Sequence, residues 1–135
     1  MSNTPITIFV TLSEDQPQML ILPENDLFIV VQATLGIQKL SWKLHGNASE
    51  CVFVQGDKEH PPIKWLGPDI PGPNVFQPDP GVSRDGLTYT LNDNPIVNTT
   101  HTYPYQLCVK SGSVYYYTSA NSLASTQKTP RIKNN

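Results

Sequence analysis

Residues 103–117, YPYQLCVKSGSVYYY, carry the pattern that decides the fold. From Tyr103 to Lys110, an aromatic or aliphatic side chain occupies every second position, which is the period of a β-strand with one face in a core. A Ser-Gly pair at 111–112 separates this run from the β-rich SVYYY, and such short connections favour a hairpin. The stretch therefore predicts two antiparallel strands.

The same alternation recurs along the chain. Residues 6–12 and 87–91 alternate apolar and polar side chains, and residues 40–44 alternate with Trp42 on the core face. The continuous apolar run 27–31 suits a strand covered on both faces. Short candidates follow at 19–22, 51–54 and 113–119. With no recurring helical period, we predict an all-β fold: an antiparallel β-sandwich of roughly seven to nine strands, formed by residues 1–135 as one domain. A small barrel is the rival architecture.

Charge and hydropathy limit the partners. The net charge is −2 and the pI about 5.8, so the chain lacks the basic field that holds a phosphate backbone, and nucleic acid is not expected. The N-terminal residues lack a basic region followed by an apolar core, and no apolar run is long enough to span a membrane. We therefore expect a soluble, cytoplasmic protein without a membrane partner.

Seven of the thirteen prolines fall between residues 57 and 86. Proline removes a backbone donor and restricts the residue before it, so this segment is predicted as an extended loop with only IKWLG as an edge strand. Long loops in compact domains are often functional. The loop is therefore a candidate binding surface or, alternatively, a cover for an exposed sheet edge.

The two cysteines leave several roles to compare. Cys51, Trp65 and Cys108 follow the Cys, Trp, Cys order of an immunoglobulin domain, yet parity puts Cys108 on the outer face of its strand. A nucleophile needs a nearby base, and His101 lies roughly 23 Å away along an extended strand. We expect Cys108 to be a small strand residue packed under a neighbour rather than half of a disulfide.

Recognisable cofactor chemistry is missing from the sequence. The three histidines lack metal-binding spacing, and neither a calcium loop, a glycine-rich phosphate loop nor a G-x-S-x-G elbow occurs. No metal, cofactor or catalytic residue is predicted, and a non-enzymatic role is favoured.

The candidate binding residues are aromatic. In the second strand of the hairpin, successive tyrosines must lie on opposite faces, so at least one is expected to face solvent or a partner. A tryptophan and a phenylalanine in the proline-rich segment are candidate anchors. The predicted binding residues are Trp65, Phe76, Tyr115, Tyr116 and Tyr117.

Two stretches resemble known proteins. The Y-x-Y-x-L-x-V pattern at 103–109 resembles a strand of small immunoglobulin-like and fibronectin-like domains. The ending TPRIKN at 129–134 is similar to the D-P-x-I-x-N close of small bacterial immunoglobulin-like proteins of the DP-EP family, with Thr129 in place of the aspartate. The resemblance implies an immunoglobulin-like sandwich and brings no activity with it.

These features lead to one main hypothesis and two alternatives. The main hypothesis is a non-catalytic module that binds a protein partner, or itself as a homodimer, through a strand edge or through the segment 57–86. The first alternative is a carbohydrate-binding module that uses exposed aromatic rings. The second alternative is an enzyme with a site in the loops.

Overall fold

The computed structural model describes residues 4–67, 70–95, 101–119 and 129–135. These residues form ten strands and three single-turn 3-10 helices, and none of the described helices has the length and hydropathy to cross a membrane. The strands are β1 (Ile6–Leu12), β2 (Leu20–Ile21), β3 (Phe28–Val31), β4 (Gln38–Leu44), β5 (Ile63–Trp65), β6 (Phe76–Val82), β7 (Thr88–Asp93), β8 (His101–Ser111), β9 (Val114–Tyr117) and β10 (Arg131–Asn134).

The strands form two sheets packed face to face, which confirms the predicted β-sandwich. The first sheet has the order β2-β1-β4-β7-β6, and the second has the order β3-β10-β8-β5 with β9 also paired to β8. The structure departs from the predicted antiparallel sandwich of roughly seven to nine strands in two details: the described residues form ten strands, and β1 pairs with β4 and β3 with β10 in parallel. Parallel pairing needs a long connection between partners, and here the chain visits the opposite sheet before it returns.

The core lies where the inner faces of the sheets meet. On β8, Tyr103, Tyr105, Leu107 and Val109 are all buried, as their alternation predicts. Trp42 on β4 is also fully buried, and its indole Nε1 donates a hydrogen bond of 3.0 Å to the Tyr105 hydroxyl across the sandwich. The two rings meet edge to face at 5.3 Å. This contact joins the central strands of both sheets.

Two strand predictions are wrong. The run 27–31 was expected to be covered on both faces, but β3 is an edge strand whose Phe28 and Val30 are 44% and 43% exposed. Residues 51–54 form no strand, and only Val52 bridges to Lys110 on β8. The hairpin is confirmed with a shifted turn: Ser111 pairs with Val114, so residues 112–113 form the connection.

The proline-rich segment is not one long loop. It contains the predicted short strand β5, but also the seven-residue strand β6, which includes Pro78 and Pro80 and whose pairing with β7 shifts register between Pro78 and Gly81. Proline is tolerated in edge strands and at bulges, because there the missing donor interrupts no ladder bond. β5 and β6 lie at the edges of their two sheets, so the prolines form part of these edges.

Candidate functional site

The two predicted anchors of the proline-rich segment pack inside the sandwich. Trp65 at the end of β5 stacks on Phe76 at the start of β6, with ring centroids 4.3 Å apart. Phe76 is only 8% exposed, and Trp65 packs partly buried against the core. Tyr103 meets both rings edge to face. The stack therefore closes the sandwich between two edge strands, and Phe76 presents no open face to a sugar or a partner.

The three predicted tyrosines of β9 divide between its faces, as parity predicts. Tyr116 packs against the core, whereas Tyr115 and Tyr117 lie opposite Lys110 and Cys108 of β8 on the outer face of the second sheet. All three side chains are partly buried. The five predicted residues therefore do not come together as one flat exposed platform.

Residues 57–62, named here the strap, lie over the outer face of β8 and contact Tyr115 and Tyr117. The His60 ring stacks on Tyr115 with centroids 3.8 Å apart, and its Nδ1 is hydrogen-bonded to the Tyr117 hydroxyl at 2.9 Å. The Tyr115 hydroxyl donates to Asp57 Oδ2 at 3.2 Å. Asp57 Oδ1 also accepts the backbone N–H groups of residues 59 and 60, and these bonds lower the pKa of Asp57. The strap is thus tied to β9 by polar and aromatic contacts.

Cys108 lies under this strap. Its side chain is on the outer face of β8, yet it is only 5% exposed, and together with His60 and Tyr117 it lines a pocket of about 190 Å³. Both cysteines are free, and burial raises the pKa of the Cys108 thiol to about 11. A thiol of this pKa is protonated at neutral pH, whereas nucleophilic attack and metal binding require the thiolate. The packing role predicted for Cys108 is confirmed.

The strap makes a prediction about thiol accessibility. We expect His60→Ala to speed the labelling of Cys108 by a thiol reagent roughly tenfold, because the variant loses one hydrogen bond and one stacking contact that hold the strap closed. Peptide mapping by mass spectrometry separates the two thiols, and Cys51, buried away from the strap, is the internal control. Equal labelling of Cys108 in the variant and the parent would show that the strap is not what shields it.

The sheet edges differ in how they are protected. β6 carries two prolines and a register shift, and β5 is three residues long and follows Pro61 and Pro62. Short strands, prolines and bulges all block the pairing of a further strand. β3 is also short, with four residues, but it has no proline and no register shift and contains only Phe, Ile and Val. Among the described residues, no strand pairs with the side of β3 that faces away from β10, and we name this side the free edge.

The parallel pairing with β10 determines which backbone groups of β3 point to the free edge. Arg131 N–H donates to the carbonyl of Leu27, and Asn135 N–H donates to the carbonyl of Val31, each at 2.8 Å. In a parallel ladder, alternate residues direct both of their backbone groups to the same neighbour. The odd-numbered residues of this segment therefore bond to β10, and the N–H and C=O groups of Phe28 and Val30 are directed to the free edge.

A cation lies beside this edge. Arg131 is in register with Phe28, and its guanidinium carbon is 4.8 Å from the centroid of the Phe28 ring. Lys133 is in register with Val30 on the same face. The free edge therefore combines two exposed apolar side chains, backbone groups that pair with no strand of the described ranges, and two basic residues of the adjacent strand.

Sequence reasoning missed Phe28, Val30 and Arg131. A run of apolar residues occurs both in strands that are covered on two faces and in strands at a sheet edge. The hydropathy of a segment does not show how many other strands pair with it. The distribution of proline could have indicated which edge is open. Prolines lie in or beside the edge strands β5 and β6, whereas residues 24–35 contain none. In comparisons with known proteins, the chain matches no protein-family model and no curated protein, so the resemblance to the DP-EP family stays a prediction.

Proposed function

We propose that this protein is a non-catalytic interaction module that binds an extended polypeptide segment as an additional strand along the free edge of β3. One observation carries the proposal: β3 is an edge strand without proline, bulge or charge, and its outward side chains are nearly half exposed. Such strands are templates for pairing with another chain.

Backbone groups supply the attraction. The N–H and C=O groups of Phe28 and Val30 have the alternate spacing that an incoming strand requires. Side chains of that strand would lie beside Phe28 and Val30 on the outer face and cover apolar surface that now contacts water. Pairing along an edge of four residues buries far less surface than the roughly 1,600 Å² of a standard interface. We therefore expect a transient complex with micromolar or weaker affinity.

A second edge deserves comparison. β2 covers β1 only at Thr11 and Leu12, so the earlier part of β1 also has an open side among the described residues. There, one exposed phenylalanine, Phe9, lies between Thr7 and Thr11 and contacts the His45 ring. β3 presents two exposed apolar residues, Phe28 and Val30, at alternate positions on one face, and we therefore favour β3.

The test uses an uncharged peptide of alternating Val and Gln added to labelled protein. We expect the amide protons of Phe28 and Val30 to become protected from exchange. Val30→Pro should weaken binding roughly tenfold, because it removes a donor at the free edge without removing a bond to β10. Phe28→Lys should also weaken binding, since an edge lysine opposes strand pairing.

Phe9→Lys is the matched control. Phe9 and Phe28 are both 44% exposed, and each is in register with a basic residue of the next strand, Lys43 or Arg131. Binding should survive this change. The proposal fails if no strand peptide protects β3, or if Phe9→Lys abolishes binding while Phe28→Lys does not.

We also infer that the sandwich is immunoglobulin-like. Support comes from its two face-to-face sheets and from a buried tryptophan that bridges them, as in immunoglobulin domains. The carbohydrate-binding alternative lacks a supporting observation, because the aromatic residues expected to form its platform are buried or lie under the strap.

A further inference from the structure

The position of Arg131 suggests the chemistry of the partner. Arg131 belongs to β10, one strand inward from β3, yet its guanidinium lies over the Phe28 ring. The contact lies on the outer face of the second sheet, because Arg131 and Phe28 are in register and both are exposed. The charge of Arg131 is therefore next to an exposed ring of the free edge.

The charges around Arg131 are unbalanced. Lys133 lies on the same face, and neither it nor Arg131 has a carboxylate within 4.0 Å among the described residues. Lys64 and Lys110 extend the basic side chains along this face, as their register with Gln106 and Tyr115 shows. Glu24 and Asp26 immediately precede β3, but neither forms an ion pair with Arg131 or Lys133, and Asp57 and Glu59 belong to the strap. A basic face on a protein of net charge −2 is complementary to an acidic ligand.

We propose that the segment bound at β3 is an acidic extended peptide with carboxylate side chains at alternate positions, facing Arg131 and Lys133. This inference rests on the proposed function of the β3 edge. With period two, the outward residues of the added strand lie beside Phe28 and Val30, so a glutamate there comes within reach of the guanidinium. A planar guanidinium suits a carboxylate, because it can donate two parallel hydrogen bonds.

A second copy of this chain fits the site less well. In an antiparallel pairing about a two-fold axis at Ile29, the copy would place its own Val30 beside Phe28, and it would bring no carboxylate to Arg131. Asp26 of the copy would lie beyond the end of the paired strands, opposite Gln32. In this register the cations stay unpaired, whereas an acidic peptide brings carboxylates along the whole edge, and charge complementarity therefore favours the peptide.

Three peptides test the inference. They share the sequence Val-X-Val-X-Val-X-Val, with X as Glu, Gln or Lys, and their dissociation constants are measured with the full-length protein at low salt and in 0.5 M NaCl. We expect the Glu peptide to bind roughly tenfold more tightly than the Gln peptide and the Lys peptide to bind most weakly. Salt should reduce the differences, because the charges are at the surface.

Charge reversal at β10 supplies the decisive comparison. The double variant Arg131→Glu with Lys133→Glu should prefer the Lys peptide, whereas Lys64→Glu with Lys110→Glu, on the same face but away from β3, should keep the original order. Equal binding of the Glu and Lys peptides overturns the charge inference. If the Gln peptide still protects β3 in that case, the proposed function stands, and if no peptide binds, both fail. If the β3 amides become protected from exchange without any peptide when the protein concentration is raised, the occupant is a second copy of the chain, and the inference is overturned.

Discussion

Asp93→Asn should raise the free energy of unfolding at pH 8 and remove most of its pH dependence between pH 4 and pH 7. Asp93 is fully buried at the end of β7, and burial raises its pKa from the usual 3.8 to about 7. The folded protein therefore holds a proton on this carboxyl that the unfolded chain releases near pH 4. Wherever the folded state binds more protons, stability falls as pH rises.

The magnitude follows from the two pKa values. The difference between 3.8 and about 7 corresponds to on the order of 4 kcal/mol, present below pH 4 and lost as the pH rises through 7. This is a large part of the 5–15 kcal/mol that stabilises a typical domain, so we expect the parent protein to be markedly more stable in mild acid.

The surroundings of Asp93 explain why asparagine should relieve this loss. Asn134 Nδ2, on β10 of the opposite sheet, donates to Asp93 Oδ1 at 2.8 Å. Asp93 Oδ2 and Asn134 Oδ1 are both buried, and neither has a hydrogen-bond partner among the residues that the structure describes. Protonation makes Oδ2 a donor, and an asparagine amide is a donor at every pH. The variant therefore keeps the bond to Asn134 without burying a charge.

Denaturant titrations of the two proteins from pH 4 to pH 8 make the measurement. Asp79→Asn is the control, because Asp79 is largely exposed and its ion pair with Lys39, 3.6 Å long, is at the surface. That change should leave the pH dependence of the parent intact. Parallel pH profiles for Asp93→Asn and the parent would mean that Asp93 ionises normally in the folded state.

Tyr105→Ala should destabilise the protein by about 3–5 kcal/mol, enough to unfold a marginal domain. Tyr105 is fully buried at the middle of β8, and its ring contacts those of Trp42 and Trp65. Its removal leaves a cavity between the sheets and deprives the Trp42 indole N–H of its acceptor. A buried donor without a partner bears the full cost of its desolvation.

A double-mutant cycle separates the hydrogen bond from the packing. Tyr105→Phe keeps the ring and should cost about 1–3 kcal/mol, because it strands the indole N–H. In the double variant with Trp42→Phe, neither partner of the bond remains, so the two losses should not add. Additive losses, measured by denaturant unfolding, would show that the Trp42–Tyr105 bond contributes nothing beyond the packing of its rings.

The candidate site was less predictable than the fold. Local alternation identified β1, β4, β7, β8 and β9, because a strand with one buried face leaves a period of two in its own sequence, whereas the short β10 was not predicted. The position of β3 at an edge depends on which strands pair with it, and those strands are distant in sequence. Aromatic residues were expected to mark the binding surface, yet Phe76 completes the core, whereas the exposed Phe28 was assigned to the interior.

The sequence by itself determined that this chain is all-β, which residues of each strand share a face, and that Cys108 lies opposite the core residues of β8. These properties are local, since they follow from backbone period and turn chemistry. Only the tertiary structure decided which faces are covered and which edges stay open. The strap over Cys108, the Asp93–Asn134 pair between the sheets and the contact of Arg131 with the Phe28 ring all join residues far apart in the chain. Such contacts are set by strand order and register, which the spacing of side chains along one strand does not encode.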